Sequence, residues 1–282
     1  MMKRAIIIII FLAGLGVFSY PIISNILSTT AHQSAIKEYE QTVEKMDKKE
    51  IEEERKQATE HNKKLEGSDV DFVDPYSEEG SEGNKVAGNK SYYDALNVGK
   101  TIGSIEIPKI GTNLPIYHGT GEDVLSKGVG HMENSSFPTG EKGTHSVLTA
   151  HRGLPSAKLF RNLDELKKGD QFYVDVLDEK YAYEVYDVVI VLPHETQWLQ
   201  TEDDEEYMTL LTCEPYMLNT HRMLVKGKRI PYDEAKAEET EAVTEPFNYW
   251  YIAGGAGLLV IFILFWWLKC QKRKNKHKVE SS

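Results

Sequence analysis

Cysteine is nearly absent from this chain, with two in 282 residues, Cys213 and Cys270. A disulfide framework or a thiolate zinc site needs more, and there is no His-Glu-x-x-His element to supply a histidine alternative. The sequence has no internal repeat. Positive charge is outnumbered, with 33 Lys and Arg against 44 Asp and Glu. The formal net charge is -11, and a basic cluster of Lys269, Lys272, Arg273, Lys274, Lys276 and Lys278 sits at one end, which leaves the middle of the chain strongly acidic. That balance excludes nucleic acid as a partner of the middle region.

Two long uncharged runs stand near the ends. Ala5 to Ile23 follows Lys3 and Arg4, and Phe247 to Leu268 precedes the basic cluster. At about 1.5 Å per residue each is close to the roughly 20 residues that cross a bilayer as a helix. Positive charge is retained on the cytoplasmic side, so both ends are expected there and residues 28 to 246 outside. Tyr249, Trp250 and Tyr251, with Trp266 and Trp267 opposite, read as interfacial belts of the second span. The first run could instead be a cleaved signal peptide. With either outcome the membrane separates the two cysteines. Cys213 is then a free thiol in an oxidising compartment, and Cys270 a juxtamembrane residue.

Between the spans the pattern changes several times. Residues 1–4 are read as a cytoplasmic end, 5–27 as a span and 28–66 as a charged helical segment. Within the last, apolar residues at 36, 39, 43, 46, 51, 58 and 65 form a narrow helical stripe, expected to be a helix or helix pair lying lightly on the domain. Residues 67–98, with Asp74-Pro75-Tyr76 and several glycines, read as irregular. From 99 to 232 short β-rich runs follow: Ile102 to Ile107, Leu114 to Tyr117, His145 to Ala150, Gln171 to Val176, Tyr181 to Leu192, Tyr207 to Thr212 and Met223 to Arg229. These predict a mainly β domain, a closed or nearly closed barrel with short helices, one near Ser156 to Asn162. Residues 233–246 are an acidic linker, 247–268 the second span and 269–282 a basic tail. The acidic run Glu202-Asp203-Asp204-Glu205-Glu206 reads as a solvated loop rather than a calcium site.

A free cysteine that acts as a nucleophile must be a thiolate or sit beside a base, because a thiol with a pKa near 8.5 is only a few per cent ionised at neutral pH. His151 ends one β-rich run and Arg222 opens another, nine residues after Cys213. All three would lie at strand ends, where rigid elements aim side chains into a cleft. Spacing alone leaves their roles open, and His118, His131, His145 and His221 are equally unmarked.

The local motifs narrow the choice. Thr209-Leu210-Leu211-Thr212-Cys213, Pro215, Asn219-Thr220-His221-Arg222 and Val225-Lys226-Gly227-Lys228-Arg229 resemble the sortase signature. Thr149-Ala150-His151-Arg152-Gly153-Leu154-Pro155-Ser156-Ala157-Lys158-Leu159-Phe160 resembles the histidine segment of class C, the pilin-polymerising sortases of Gram-positive bacteria. The resemblance implies an eight-stranded sortase-type β-barrel, here preceded by a helical segment and flanked by two transmembrane helices, with Cys213, His151 and Arg222 catalytic. Met223 stands where leucine is usual, a swap that conserves volume. Asp74, Pro75 and Tyr76 resemble the class C lid, which implies that Asp74 pairs with Arg222 and the Tyr76 ring covers Cys213. The lid aromatic is often Phe or Trp, so the tyrosine hydroxyl is a departure.

What the resemblance implies is a membrane-bound cysteine transpeptidase that cleaves a Leu-Pro-x-Thr-Gly-like signal between Thr and Gly. The acyl group passes through a Cys213 thioester to a lysine of another pilin subunit. Thr212 would shape the substrate channel. No metal or cofactor is expected, and the partners are pilin subunits and the membrane. The rivals are a housekeeping or hydrolytic sortase acting at the cell wall, and a scaffold whose cysteine is idle.

Overall fold

The computed structural model describes residues 2–65, 73–77, 90–195, 198 and 205–233. The expected second span, the linker from residue 234, the basic tail, Cys270 and the 202–204 part of the acidic run lie outside the described residues.

Helix α1, Met2–Val43, carries the first apolar run and is unbroken across it. From Ile9 it is long and apolar enough to cross a membrane, and the apolar window of this stretch is not buried against the rest of the protein. Its last turns change character. Ile36, Tyr39 and Val43 are buried against the β domain, and the Tyr39 hydroxyl donates to the Ile102 carbonyl at 3.0 Å while accepting the Leu177 amide at 2.8 Å. Ser24 adds a bond to the Ser156 carbonyl at 3.2 Å.

The predicted helical stripe is divided between two helices. After a turn, α2 spans Lys48–Leu65. Asp47 explains the restart: its carboxylate accepts the Lys49 and Glu50 amides at 2.9 Å, and the Glu50 side chain returns to the Asp47 amide at 2.8 Å. This reciprocal capping satisfies donors that a helix N-terminus otherwise leaves open. Inside α2, Ala58, His61 and Asn62 are buried, and Asn62 bonds both the amide and the carbonyl of Phe137.

Among the described residues eight strands close into a barrel in the order β1-β2-β3-β4-β7-β8-β6-β5. They are β1 Gly103–Ile107, β2 Thr112–His118, β3 Val129–His131, β4 His145–Thr149, β5 Gln171–Val176, β6 Glu179–Val191, β7 Tyr207–Glu214 and β8 His221–Ile230. The β2–β3 and β4–β7 pairs are parallel and the rest antiparallel. Closure leaves no open sheet edge. Ile105, Ile107, Ile116, Leu148, Phe172, Leu210 and Val225 fill the interior. Gly227 is required where β8 passes Phe172, because a Cβ there would come within 2.5 Å of the ring.

Two local expectations are corrected. Ser156 to Asn162 is turn rather than helix, since Leu159 adopts a φ of 35°, outside the right-handed helical region. The helical turn is a 3-10 element at Leu163–Glu165. Glu206 is not solvated: it is buried and accepts a bond from the Tyr183 hydroxyl at 2.6 Å. Burial pushes its carboxyl above the usual range, against the Tyr183 hydrogen bond and the Arg229 charge.

Candidate active site

The pleat assigns side chains on β4, β7 and β8 to two faces, because successive residues alternate. Leu148, Ala150, Leu210, Met223 and Val225 join the barrel interior. Val147, Leu211 and Leu224 join a second cluster with Met132 and Trp198, against which Tyr76 packs. Cys213 shares the parity of Leu211, and Arg222 that of Leu224. Both belong to the Tyr76 face, directly opposite one another in the β7–β8 register.

Parallel pairing brings in His151. The β4–β7 register ends at Thr149↔Leu211 and continues as a bond from the Ala150 amide to the Leu211 carbonyl at 3.3 Å. Carried two residues further, the register sets His151 beside Cys213. The His151 Nε2 is 3.1 Å from Glu122 Oε2, and its ring lies 5.6 Å from that of Tyr76.

Residues 74–76 lie across this place. Asp74 takes the Arg222 guanidinium in a fork, Nε to Oδ1 at 2.8 Å and Nη2 to Oδ2 at 2.5 Å, while Nη1 donates to the Asn219 and His221 carbonyls. The guanidinium carbon also lies 5.2 Å from the Tyr76 ring centroid. Tyr76 donates through its hydroxyl to the Ala150 carbonyl at 2.6 Å and meets the Thr149 hydroxyl at 2.8 Å. The departure from Phe or Trp is therefore matched by acceptors in the wall beneath.

Cys213 is a free cysteine and only 3% exposed. Burial pushes its thiol up to about 12, Arg222 pulls it down and Asp74 pushes it up again. For Arg222 burial acts downward, yet the Asp74 hydrogen bond and the surrounding groups carry it above its ordinary value. Burial, followed by Cys213, also raises the Tyr76 phenol. With residues 74–76 seated, the site holds a neutral thiol and an arginine whose donors are occupied. Thr212 is fully buried on the interior face, and its hydroxyl donates to the Ala150 carbonyl at 2.7 Å.

A family model described as Sortase domain matches residues 105–230. The sortase C structure of Streptococcus pneumoniae is 46% identical, covering 71% of this chain and 97% of that one with a TM-score of 0.63. Sortase C1 of pilus island 1 from group B Streptococcus is 42% identical, with 72% and 94% covered and a TM-score of 0.65. This chain belongs to the sortase family. Its solved neighbours are class C enzymes, including sortase C-1 of Actinomyces oris, which is 41% identical with 64% and 99% covered at a TM-score of 0.60. Among curated relatives, sortase D of Bacillus subtilis is 36% identical over 135 residues, 47% of this chain and 65% of that protein. The chain thus spans less than two thirds of that relative's length.

Two residues around this sortase site, Glu122 and Glu214, stand outside the motifs quoted above, and two within them, Thr149 and Arg152, had no role assigned. Glu122 reaches His151 from a one-turn helix 29 residues upstream. Thr149 matters through its hydroxyl alone. Arg152 and Glu214 follow His151 and Cys213 directly and bear opposite charges, a clue that adjacency could have supplied.

Proposed function

We propose that this sortase is a membrane-anchored cysteine transpeptidase that joins pilin subunits, with residues 74–76 as a lid that must leave before substrate enters. The observation that carries the reading is the meeting of Cys213 and Arg222 across β7 and β8 beneath the Asp74–Arg222 fork. The class C, pilus-related nature of the solved neighbours supports pilin as the substrate, and helix α1 supports the anchor.

Lid departure changes three things at once. It exposes Cys213, removes the Asp74 charge that opposes a thiolate, and frees Arg222 Nε and Nη2. Cys213 gives its proton to His151, and the resulting thiolate attacks the threonine carbonyl carbon of a Leu-Pro-x-Thr-Gly-like signal. The freed guanidinium donors face the oxyanion, and losing one oxyanion donor typically costs an enzyme about 3 to 4 kcal/mol in its barrier. Protonated His151 gives its proton to the glycine nitrogen as the Thr-Gly bond breaks, leaving a Cys213 thioester. A lysine amine of the next subunit attacks that thioester, loses a proton to His151, and releases the Cys213 thiolate with an isopeptide bond formed.

Intact-mass spectrometry tests both stages. The full chain and its Asp74→Ala variant are mixed with a Leu-Pro-x-Thr-Gly peptide, with Cys213→Ala as control. A gain equal to the Leu-Pro-x-Thr acyl group, absent in the control, is expected, followed by transfer to a pilin lysine. Transfer only to a cell-wall amine or to water would replace polymerisation by the housekeeping or hydrolytic activity. No adduct on a reactive thiol would overturn the transpeptidase reading.

A further inference from the structure

Ladder pairing between β4 and β7 stops before it reaches the two residues that need the closest alignment. The registered pairs end at Thr149↔Leu211, and the His151 carbonyl turns away to accept the Phe160 amide at 3.2 Å. One residue beyond His151 and Cys213, however, the same register sets Arg152 beside Glu214, and there an ion pair forms between Arg152 Nη1 and Glu214 Oε2. Arg152 is 6% exposed and its other donors are also engaged: Nη2 with Asp164 Oδ2 at 2.7 Å and Nε with the Arg161 carbonyl at 3.2 Å. Glu214 is 20% exposed at its side chain, so the pair is largely withdrawn from water.

Glu214 follows Cys213 on β7, so the pleat turns its side chain to the opposite side of that strand, and Arg152 meets it there. We propose that the Arg152–Glu214 pair is a positioning clamp: it continues the β4–β7 register past the end of the ladder, holds His151 level with Cys213, and neutralises the carboxylate that directly follows the nucleophile. Asp164 anchors the clamp to the 3-10 turn behind it. The charge role follows from chain order. A lone Glu214 carboxylate would oppose formation of the adjacent thiolate, on top of the influences of Arg222, Asp74 and Tyr76 from the other face.

The geometric role rests on the proposed transpeptidase activity, but the charge role does not, which keeps the two separable. In the full chain carrying Asp74→Ala, so that the thiol is reachable, iodoacetamide alkylation of Cys213 is followed against pH. Arg152→Gln should slow alkylation at neutral pH by roughly fivefold, because it leaves one uncompensated charge near the thiolate. Adding Glu214→Gln should restore the rate. Equal slowing in the single and double variants, or no slowing in Arg152→Gln, would overturn the charge role. A second charge deletion does not repair a fold defect, so restoration separates electrostatics from general damage.

Glu214→Gln alone leaves Arg152 on Asp164 and tests the geometry even if Arg152→Gln does not fold. Thioester formation with the Leu-Pro-x-Thr-Gly peptide, measured well below the variant's Tm, should lose about tenfold or more in kcat at unchanged KM, since misplacement by about 1 Å can cost 10²-fold. Wild-type kcat in this variant would refute the positioning role. If alkylation follows the expected pattern while even the parent forms no thioester, the charge role stands and the geometric role falls with the activity.

Discussion

Removing Asp74 should open the site to a bulky thiol reagent by a calculable amount. The Asp74 and Arg222 side chains are 9% and 6% exposed and meet through two short bonds, so this is a withdrawn ion pair rather than a surface one. Breaking such a pair by deleting one partner costs about 3 to 5 kcal/mol, because the remaining charge is left without compensation. That cost falls on the closed arrangement alone. Once residues 74–76 have swung away, Arg222 can be hydrated. Taking the lower figure, the open-to-closed ratio should rise about 10²-fold in Asp74→Ala. Where opening and closing are fast, labelling tracks the open population. The assay is pseudo-first-order modification of Cys213 by a large maleimide, read by intact mass, for the full chain and Asp74→Ala at one pH. Rates equal within a factor of two would mean that the fork does not hold the segment closed, and the account of Arg222 as an occupied oxyanion donor would fail with it.

Three further outcomes follow from the same contacts. Tyr76→Phe removes the hydroxyl that meets Ala150 and Thr149 but keeps the ring over Arg222; with two bonds lost at about 1 kcal/mol each, labelling should rise about 30-fold, less than in Asp74→Ala, and an equal rise would contradict the ranking. Burial holds the Cys213 thiol at about 12, so labelling of the closed wild type should keep climbing with pH well above 9, whereas Asp74→Ala should level off at lower pH; coincident profiles would refute the assigned causes. His61 and His131 pack around Tyr92 and Phe137, and burial pulls them down to about 4 and about 3, so the folded state favours their neutral forms. Their contribution is complete above the unfolded value near 6.5 and is lost as pH falls from there toward about 4 and then 3. Urea denaturation at pH 7 and pH 5 should show a smaller acid loss in His61→Phe than in wild type, and equal losses would remove His61 from the explanation.

Much of the barrel was legible because its strands are long enough to alternate. The runs read at Ile102 to Ile107, Gln171 to Val176 and Met223 to Arg229 overlap β1, β5 and β8. The three residues of β3 have no pattern to read; parallel pairing with β2 and antiparallel pairing with β4 define them as a strand. Cys213, His151, Arg222 and residues 74–76 were named from local motifs. Their partners were not, for a physical reason. Glu122, Thr149 and Glu214 are ordinary polar residues whose meaning depends on register, and register is a long-range property. Ser156 to Asn162 failed differently, since side-chain bonds from Arg161 to the Leu154 and Ala157 carbonyls favour turns over a helical ladder.

The continuity of α1 determines how this domain can search. From Leu27 to Val43 the helix rises about 24 Å with no break, and it is fastened to the domain on both sides of Thr30, through Ser24 and through Tyr39. A flexible leash would let the catalytic mouth sweep a hemisphere above the bilayer. In the membrane-anchored enzyme proposed above, a fixed mast would hold the mouth at one height and one tilt, so encounters would depend on lateral drift of whole molecules and on substrates that present their signals at the matching level. Inserting two or three glycines after Thr30 would convert mast to leash, trading selection by height for reach.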